Sequence, residues 1–176
     1  MADIAMSKID AARRQLITAI RLYFNYDDEV SIHTLSSAAR NVLCDICTHR
    51  GVTPPLLLDR LLVDLVKPEQ HREFRRKFRE PENFFKHADH DTEENITFNP
   101  ATTDYVLLEA VEAYTVLAGE SIPELHAYRG WWQLHHQHCL TEASKEFLSC
   151  LNGVTYAENQ RTKYFTEILT AITLQG

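Results

Sequence analysis

A series of amphipathic segments of helical length, each closed by a helix-stopping residue, constrains the fold more than any other feature. In the first segment Ile9, Leu16 and Ile20 fall on one stripe of a helix with 3.6 residues per turn. Gly51 and Gly119 each follow such a segment, where glycine readily adopts the left-handed conformation that ends a helix. No segment shows the strict alternation of a strand. The sequence therefore predicts an all-α fold.

The predicted architecture is a single-domain helical bundle of about seven helices over residues 1–176, with 123–176 as a C-terminal helical extension that packs on it. Proline normally breaks a helix unless it stands in the first turn. Pro81 is accordingly predicted to end one helix and to begin a short new one over 81–88.

The composition of the chain fits a globular protein that is neither disordered nor membrane-spanning. Hydrophobic residues make up 44% of the sequence, and its apolar runs are too short to span a bilayer. The N-terminal segment lacks the charged region and apolar stretch of a secretion signal, so a cytoplasmic location is predicted. The formal net charge of −7 argues against a general nucleic-acid coating protein but allows a local basic groove.

The local charge reverses abruptly in the middle of the chain. Residues 67–79 contain six basic and two acidic side chains, a balance of +4, whereas residues 80–95 contain one basic and six acidic ones, a balance of −5. The basic residues before the reversal are predicted to surround most of their helix. At the reversal Asn83 and His87 are spaced to share one face of the predicted short helix. We take His87 as a candidate general acid or base, with Asn83 and Lys86 positioning phosphate.

Two resemblances bear on this stretch. The segments Ser31-Ile-His-Thr-Leu35, Ser37-Ala-Ala39 and Asn83-Phe-Phe-Lys-His-Ala-Asp89 resemble a group of small uncharacterised bacterial all-α proteins, over most of 11–132. A polar residue and a histidine on one helix of an all-α bundle more loosely resemble HEPN domains. HEPN-like ribonucleases use an arginine followed after four to six residues by a histidine, usually brought together across a dimer. Seven residues separate Arg79 from His87, and six separate Arg129 from His136.

The HEPN resemblance implies a homodimer that binds or cleaves RNA, or binds a nucleotide, without a metal or other cofactor. On this interpretation the catalytic residues are His87, Asn83 and Lys86, and the substrate-binding residues are His33, Arg40, Arg79, Arg129 and His136. Whether the protein is an enzyme stays open at this point. If it is one, the expected activity is a metal-independent, ribonuclease-like cleavage.

Two other functions fit the same residues. In the first, the protein is a non-enzymatic interaction or ligand-binding bundle, in which Arg40, Lys86 and the basic run hold an acidic protein partner. In the second, His87, His90 and Asp91 bind a metal, since histidine with carboxylate suits zinc, iron or manganese.

Arg40 and the cysteines have structural interpretations beside the functional ones. Arg40 lies among alanines on a predicted helix and requires an acidic partner, for which Asp104, Glu109 and Glu112 are candidates. Cys44-Asp-Ile-Cys47 has no second cysteine pair at zinc-finger spacing and no adjacent strand, so both thiols are predicted to be small buried side chains within a helix.

Overall fold

The computed structural model describes residues 3–53, 67–87, 92–93, 95–120, 122–137, 140 and 156–174. These residues form six α-helices and contain no strand, which confirms the all-α prediction. The helices are α1 (Lys8–Phe24), α2 (Glu29–His49), α3 (His71–Lys86), α4 (Ala101–Ala118), α5 (Pro123–His135) and α6 (Arg161–Thr173). About seven helices were predicted, and the two expected to begin at residues 54 and 141 lie outside the described residues.

One hydrophobic core joins five of the six helices. Helix α2 packs against both α1 and α4, α5 contacts α1 and α4, and α6 packs on α5. The largest fully buried side chains at the centre are Leu16, Ile20, Phe24, Ile32, Leu43, Leu107, Val111, Tyr114 and Tyr128. Among the other α-helices, α3 packs mainly against α2, and it lies at the edge of the bundle. None of the described helices is long and apolar enough to cross a membrane.

Local signals set the helix ends. The Ser7 side chain accepts a hydrogen bond from the amide of Asp10 at 3.1 Å, and the Asp28 carboxylate accepts one from Ser31 at 2.7 Å. Gly51 and Gly119 have φ angles of 65° and 62°, the left-handed conformation predicted for residues that follow a helix.

Helix α3 continues through Pro81, so the prediction that this residue ends one helix and begins another is wrong. Proline in a helix interior loses one hydrogen bond and clashes with the preceding turn, at a cost of about 3 kcal/mol. Here Pro81 and Glu82 are both buried against the bundle, and the Glu82 carboxylate accepts hydrogen bonds from Asn41 and Lys86. These tertiary contacts outweigh the local preference.

Helices α5 and α6 approach closely at a glycine. A Cβ atom added to Gly130 would stand 2.5 Å from the hydroxyl of Tyr164, so a larger residue requires the Tyr164 side chain to move. The same hydroxyl donates to the carbonyl of Ala127 at 3.0 Å. The next residue, Phe165, stacks on Phe24 of α1, with ring centroids 4.3 Å apart. Helix α6 is thereby part of the common core.

Candidate functional site

Helix α3 carries a line of exposed arginines along its outer face. Arg72, Arg75, Arg76 and Arg79, here called the arginine stripe, fall within an arc of about 100° because successive residues turn by about that angle. Lys77 lies outside this arc and pairs with Glu73 at 3.2 Å. The prediction that basic residues surround most of the helix is therefore corrected: the arginines share one face.

The unbroken helix also places Asn83 on the face of the arginine stripe, eleven residues after Arg72. His87 does not continue that face, because α3 ends at Lys86 and His87 has the extended backbone angles φ −132° and ψ 137°. Its amide donates to the carbonyl of Asn83 at 3.1 Å. Asn83 and His87 were predicted to share one helix face, and they do not. Both side chains are exposed, and they lie close to each other in sequence at the end of α3.

The opposite face of α3 contributes Glu82 to a buried network of polar side chains. Glu82 is 8% exposed, and its carboxylate accepts hydrogen bonds from the side-chain amide of Asn41 and, at 2.7 Å, from the ammonium of Lys86. Lys86 was predicted to position phosphate, and in the structure its ammonium is engaged by this carboxylate. Phe85 is on the same helix, and its ring lies 5.2 Å from that of Phe98. The network fixes α3 on α2.

Arg40 and Glu109 form a buried ion pair between α2 and α4. The Arg40 Nε donates to Glu109 Oε2 at 2.5 Å, and the two side chains are 9% and 0% exposed. Although burial alone disfavours the charged guanidinium, the Glu109 carboxylate raises the pKa of Arg40 above its ordinary value. The structural interpretation of Arg40 is confirmed, and Glu109 is the partner among the three candidates. Both charges are held inside the bundle.

His33 is completely buried on the same helix as Arg40, seven residues before it. Its Nδ1 lies 3.0 Å from the Thr103 hydroxyl, and its ring meets the edges of Phe85 and Phe98. Burial lowers the pKa of His33 to about 4, so the ring is neutral at pH 7. His33 and Arg40 were predicted to bind substrate, and His87 was predicted to be catalytic. The structure places these two in the interior, whereas His87 is at the surface.

Arg129 and His136 both reach α4 from α5. The Arg129 Nε pairs with Glu112 at 2.6 Å, and the His136 Nε2 lies 3.6 Å from Asp104 Oδ2. Each of the two groups is therefore matched with its own carboxylate, two turns apart along α4. Both side chains are directed at α4, and His136 itself follows the last residue of α5.

A cavity of about 540 Å³ opens next to His136 and was not foreseen from the sequence. We call it the Asp104 pocket; its lining includes Tyr23, Glu29, Asp104, Trp131, His136 and Arg161. The Trp131 indole donates to the Tyr23 hydroxyl at 3.2 Å, and that hydroxyl in turn interacts with Asp104. Burial raises the pKa of Asp104 to about 6, and the Tyr23 hydrogen bond opposes this.

Cys44 and Cys47 and the described histidines do not form a metal or redox centre. Burial raises the pKa of the Cys44 thiol to about 11, and Cys47 is fully buried in the same helix, as predicted. Within the described part of the chain no group of three or more histidine, cysteine or acidic side chains is arranged to hold a metal ion. His90 and Asp91, from the metal alternative, lie outside the described residues.

The fold and surface define an all-α bundle with one strongly basic helix on its rim. Comparison with known proteins found no matching family model, no similar curated protein and no similar solved structure. The resemblance to HEPN domains stays a prediction.

Proposed function

We propose that this protein binds RNA through its phosphate backbone, with the arginine stripe of α3 as the contact surface. The observation that supports this proposal is the exposure of four arginines along one face of a single helix. Arg72 and Arg79 are seven residues apart, which corresponds to about 10 Å along a helix axis. Guanidinium groups present forked donors that match phosphate oxygens, so a stripe of this length suits successive phosphates of one strand.

Recognition of RNA rather than any polyanion is attributed to the C-terminal end of α3. Asn83 continues the line of the arginine stripe, and His87 is exposed immediately beyond it. An amide and an imidazole are able to bond to base edges and to the ribose 2′-hydroxyl, which distinguishes RNA from DNA. In the HEPN-like form of the proposal the protein is a cytoplasmic homodimer, and His87 acts as general acid or base in cleavage without a metal.

Binding is tested by fluorescence anisotropy with a labelled single-stranded RNA. The variant R72E/R76E/R79E is compared with K8E/R14E/R50E, which alters three exposed basic residues elsewhere on the surface. We expect the stripe variant to lose at least about tenfold in affinity, and the slope of log K against log salt to fall by about 2, as three phosphate contacts on a single strand require. The control variant should keep the wild-type slope.

Two results would contradict the proposal. The first is equal binding by the stripe variant and wild type, and the second is an equal loss in the control variant. Stable capture of an acidic protein by the stripe, with no RNA affinity, would instead support the interaction-bundle alternative.

Cleavage is measured separately, with excess EDTA present. Wild type should release fragments that His87→Ala does not, at protein concentrations at which both proteins saturate the RNA. Absence of cleavage by wild type, with binding retained, would remove the catalytic form and leave the binding proposal standing.

A further inference from the structure

The Asp104 pocket has aromatic walls contributed by separate parts of the chain. Tyr23 lies in the last turn of α1, Tyr26 lies in the loop that follows this helix, and Trp131 comes from α5. Tyr26 has a φ angle of 56°, a conformation that costs a non-glycine residue about 1 kcal/mol. It is held there by its hydroxyl, which donates to the Glu158 carbonyl at 2.5 Å and accepts from the Arg161 amide at 3.3 Å. Strain that is retained in this way tends to lie at binding sites.

The charge of the pocket is negative. Three carboxylates, those of Glu29, Asp104 and Glu158, line it together with one guanidinium, that of Arg161. The carboxylates are close enough to influence one another, since Glu29 and Glu158 both act to raise the pKa of Asp104. Arg161 lies over the rings of Tyr23 and Tyr26, at 4.5 and 3.7 Å from the centroids. Even with His136 counted as protonated beside Asp104, three carboxylates face two cations, so the pocket retains an attraction for a further cation.

The polar groups of the wall also favour a ligand that donates hydrogen bonds. The His136 Nδ1 lies 3.1 Å from the Trp132 carbonyl, which only accepts, so Nδ1 carries a proton. The acceptors that line the cavity are the carboxylates of Glu29, Asp104 and Glu158, and they favour a ligand with N–H donors.

We propose that the Asp104 pocket binds a small primary alkylamine, whose ammonium group lies among the carboxylates of Glu29, Asp104 and Glu158 and whose alkyl chain packs on Trp131. An anion is disfavoured by the excess of carboxylates. A metal ion is disfavoured because no described group of side chains has the arrangement of a metal site. A quaternary ammonium lacks the N–H donors that the acceptors of the wall require. The pocket shares no residue with α3, so this inference does not rest on the proposed RNA function.

The test is isothermal titration calorimetry of the full chain with 1,4-diaminobutane at pH 7.5. We expect E29Q/E158Q to bind at least about tenfold more weakly than wild type, because two of the three charges that face the ammonium are removed. The matched control D45N/E69Q removes two exposed carboxylates outside the pocket and should bind as wild type does. Tetramethylammonium should give no saturable heat.

The substituted residues of E29Q/E158Q are not in the hydrophobic core, so the result does not depend on an altered core. Asp104→Asn is a second variant that removes the central carboxylate, and its folding is checked by circular dichroism. No saturable binding of the diamine to wild type, or equal affinity in E29Q/E158Q and wild type, would overturn the proposal. Equal affinity for tetramethylammonium would also overturn it, because the N–H donors would then have no part in recognition.

Discussion

Removal of the Glu109 carboxylate should destabilise the bundle more than almost any other single isosteric change. In Glu109→Gln the volume is kept while Arg40, 9% exposed at its side chain, retains its charge without a counter-ion. A buried ion pair that loses one partner costs about 3–5 kcal/mol, because the remaining charge cannot be solvated. For a chain of 176 residues this corresponds to a fall in the midpoint of thermal unfolding of about 10 °C.

The double variant R40M/E109L shows how much the intact ion pair contributes to folding stability, as distinct from the destabilisation caused by leaving one charge unpaired. Both charges are then removed together, and apolar side chains of similar size occupy the space between α2 and α4. Such replacements are often neutral or stabilising, so the double variant should be more stable than Glu109→Gln.

Urea unfolding followed by circular dichroism at pH 7 measures both effects, provided that the denaturant slope stays unchanged. A loss below about 1 kcal/mol in Glu109→Gln would show that Arg40 is solvated in the folded state, and the reasoning about its burial would fail. A double variant as unstable as Glu109→Gln would show that packing, rather than charge, dominates at this position.

Two further predictions concern stability. Because burial lowers the pKa of His33 to about 4 from an ordinary 6.5, the unfolded chain takes up a proton below pH 6.5 that the folded chain does not. Wild type should therefore lose about 3 kcal/mol more than His33→Asn between pH 7 and pH 4, measured by urea unfolding at each pH. Asp104 has the opposite effect on stability, because its raised pKa of about 6 favours the folded state as pH falls. Wild type and His33→Asn both contain Asp104, so its contribution cancels when the two are compared. Gly130→Ala should lower the free energy of unfolding by about 1–3 kcal/mol, because the added Cβ meets the Tyr164 hydroxyl. Adding Tyr164→Phe in the same chain should recover part of that loss, as measured by thermal unfolding. If the effects of the two substitutions on stability simply add, the contact between them does not exist.

The helices were predictable where their signals are local. Apolar spacing and left-handed glycines act within a few residues, and the positions of Gly51 and Gly119 were confirmed for that reason. Pro81 was the exception, since its effect depends on what the helix contacts. The same residue that breaks an isolated helix is tolerated here, because it is buried and its neighbour Glu82 is anchored by Asn41.

The sites were less predictable because they combine distant parts of the chain. Glu109 was one of three candidate partners for Arg40, and only the packing of α4 on α2 selects it. The Asp104 pocket joins residues separated by more than a hundred positions, among them Tyr23 and Arg161, with no motif within any one segment. Charge counting located the basic stretch of α3, whereas helical geometry was needed to show that its arginines share a face.

The proposal requires that RNA affinity depend on where the basic residues lie, and not on the net charge of the protein. Each arginine-to-glutamate or lysine-to-glutamate change lowers the net charge by two, so the stripe variant and its control both move from −7 to −13. Long-range repulsion of RNA therefore increases by a similar amount in the two proteins, and it is screened by salt beyond about 10 Å. Any difference between them that persists at about 0.15 M salt arises from contacts at α3, since only short-range pairs escape that screening. Equal affinities of the stripe variant and its control at about 0.15 M salt would mean that net charge alone attracts RNA.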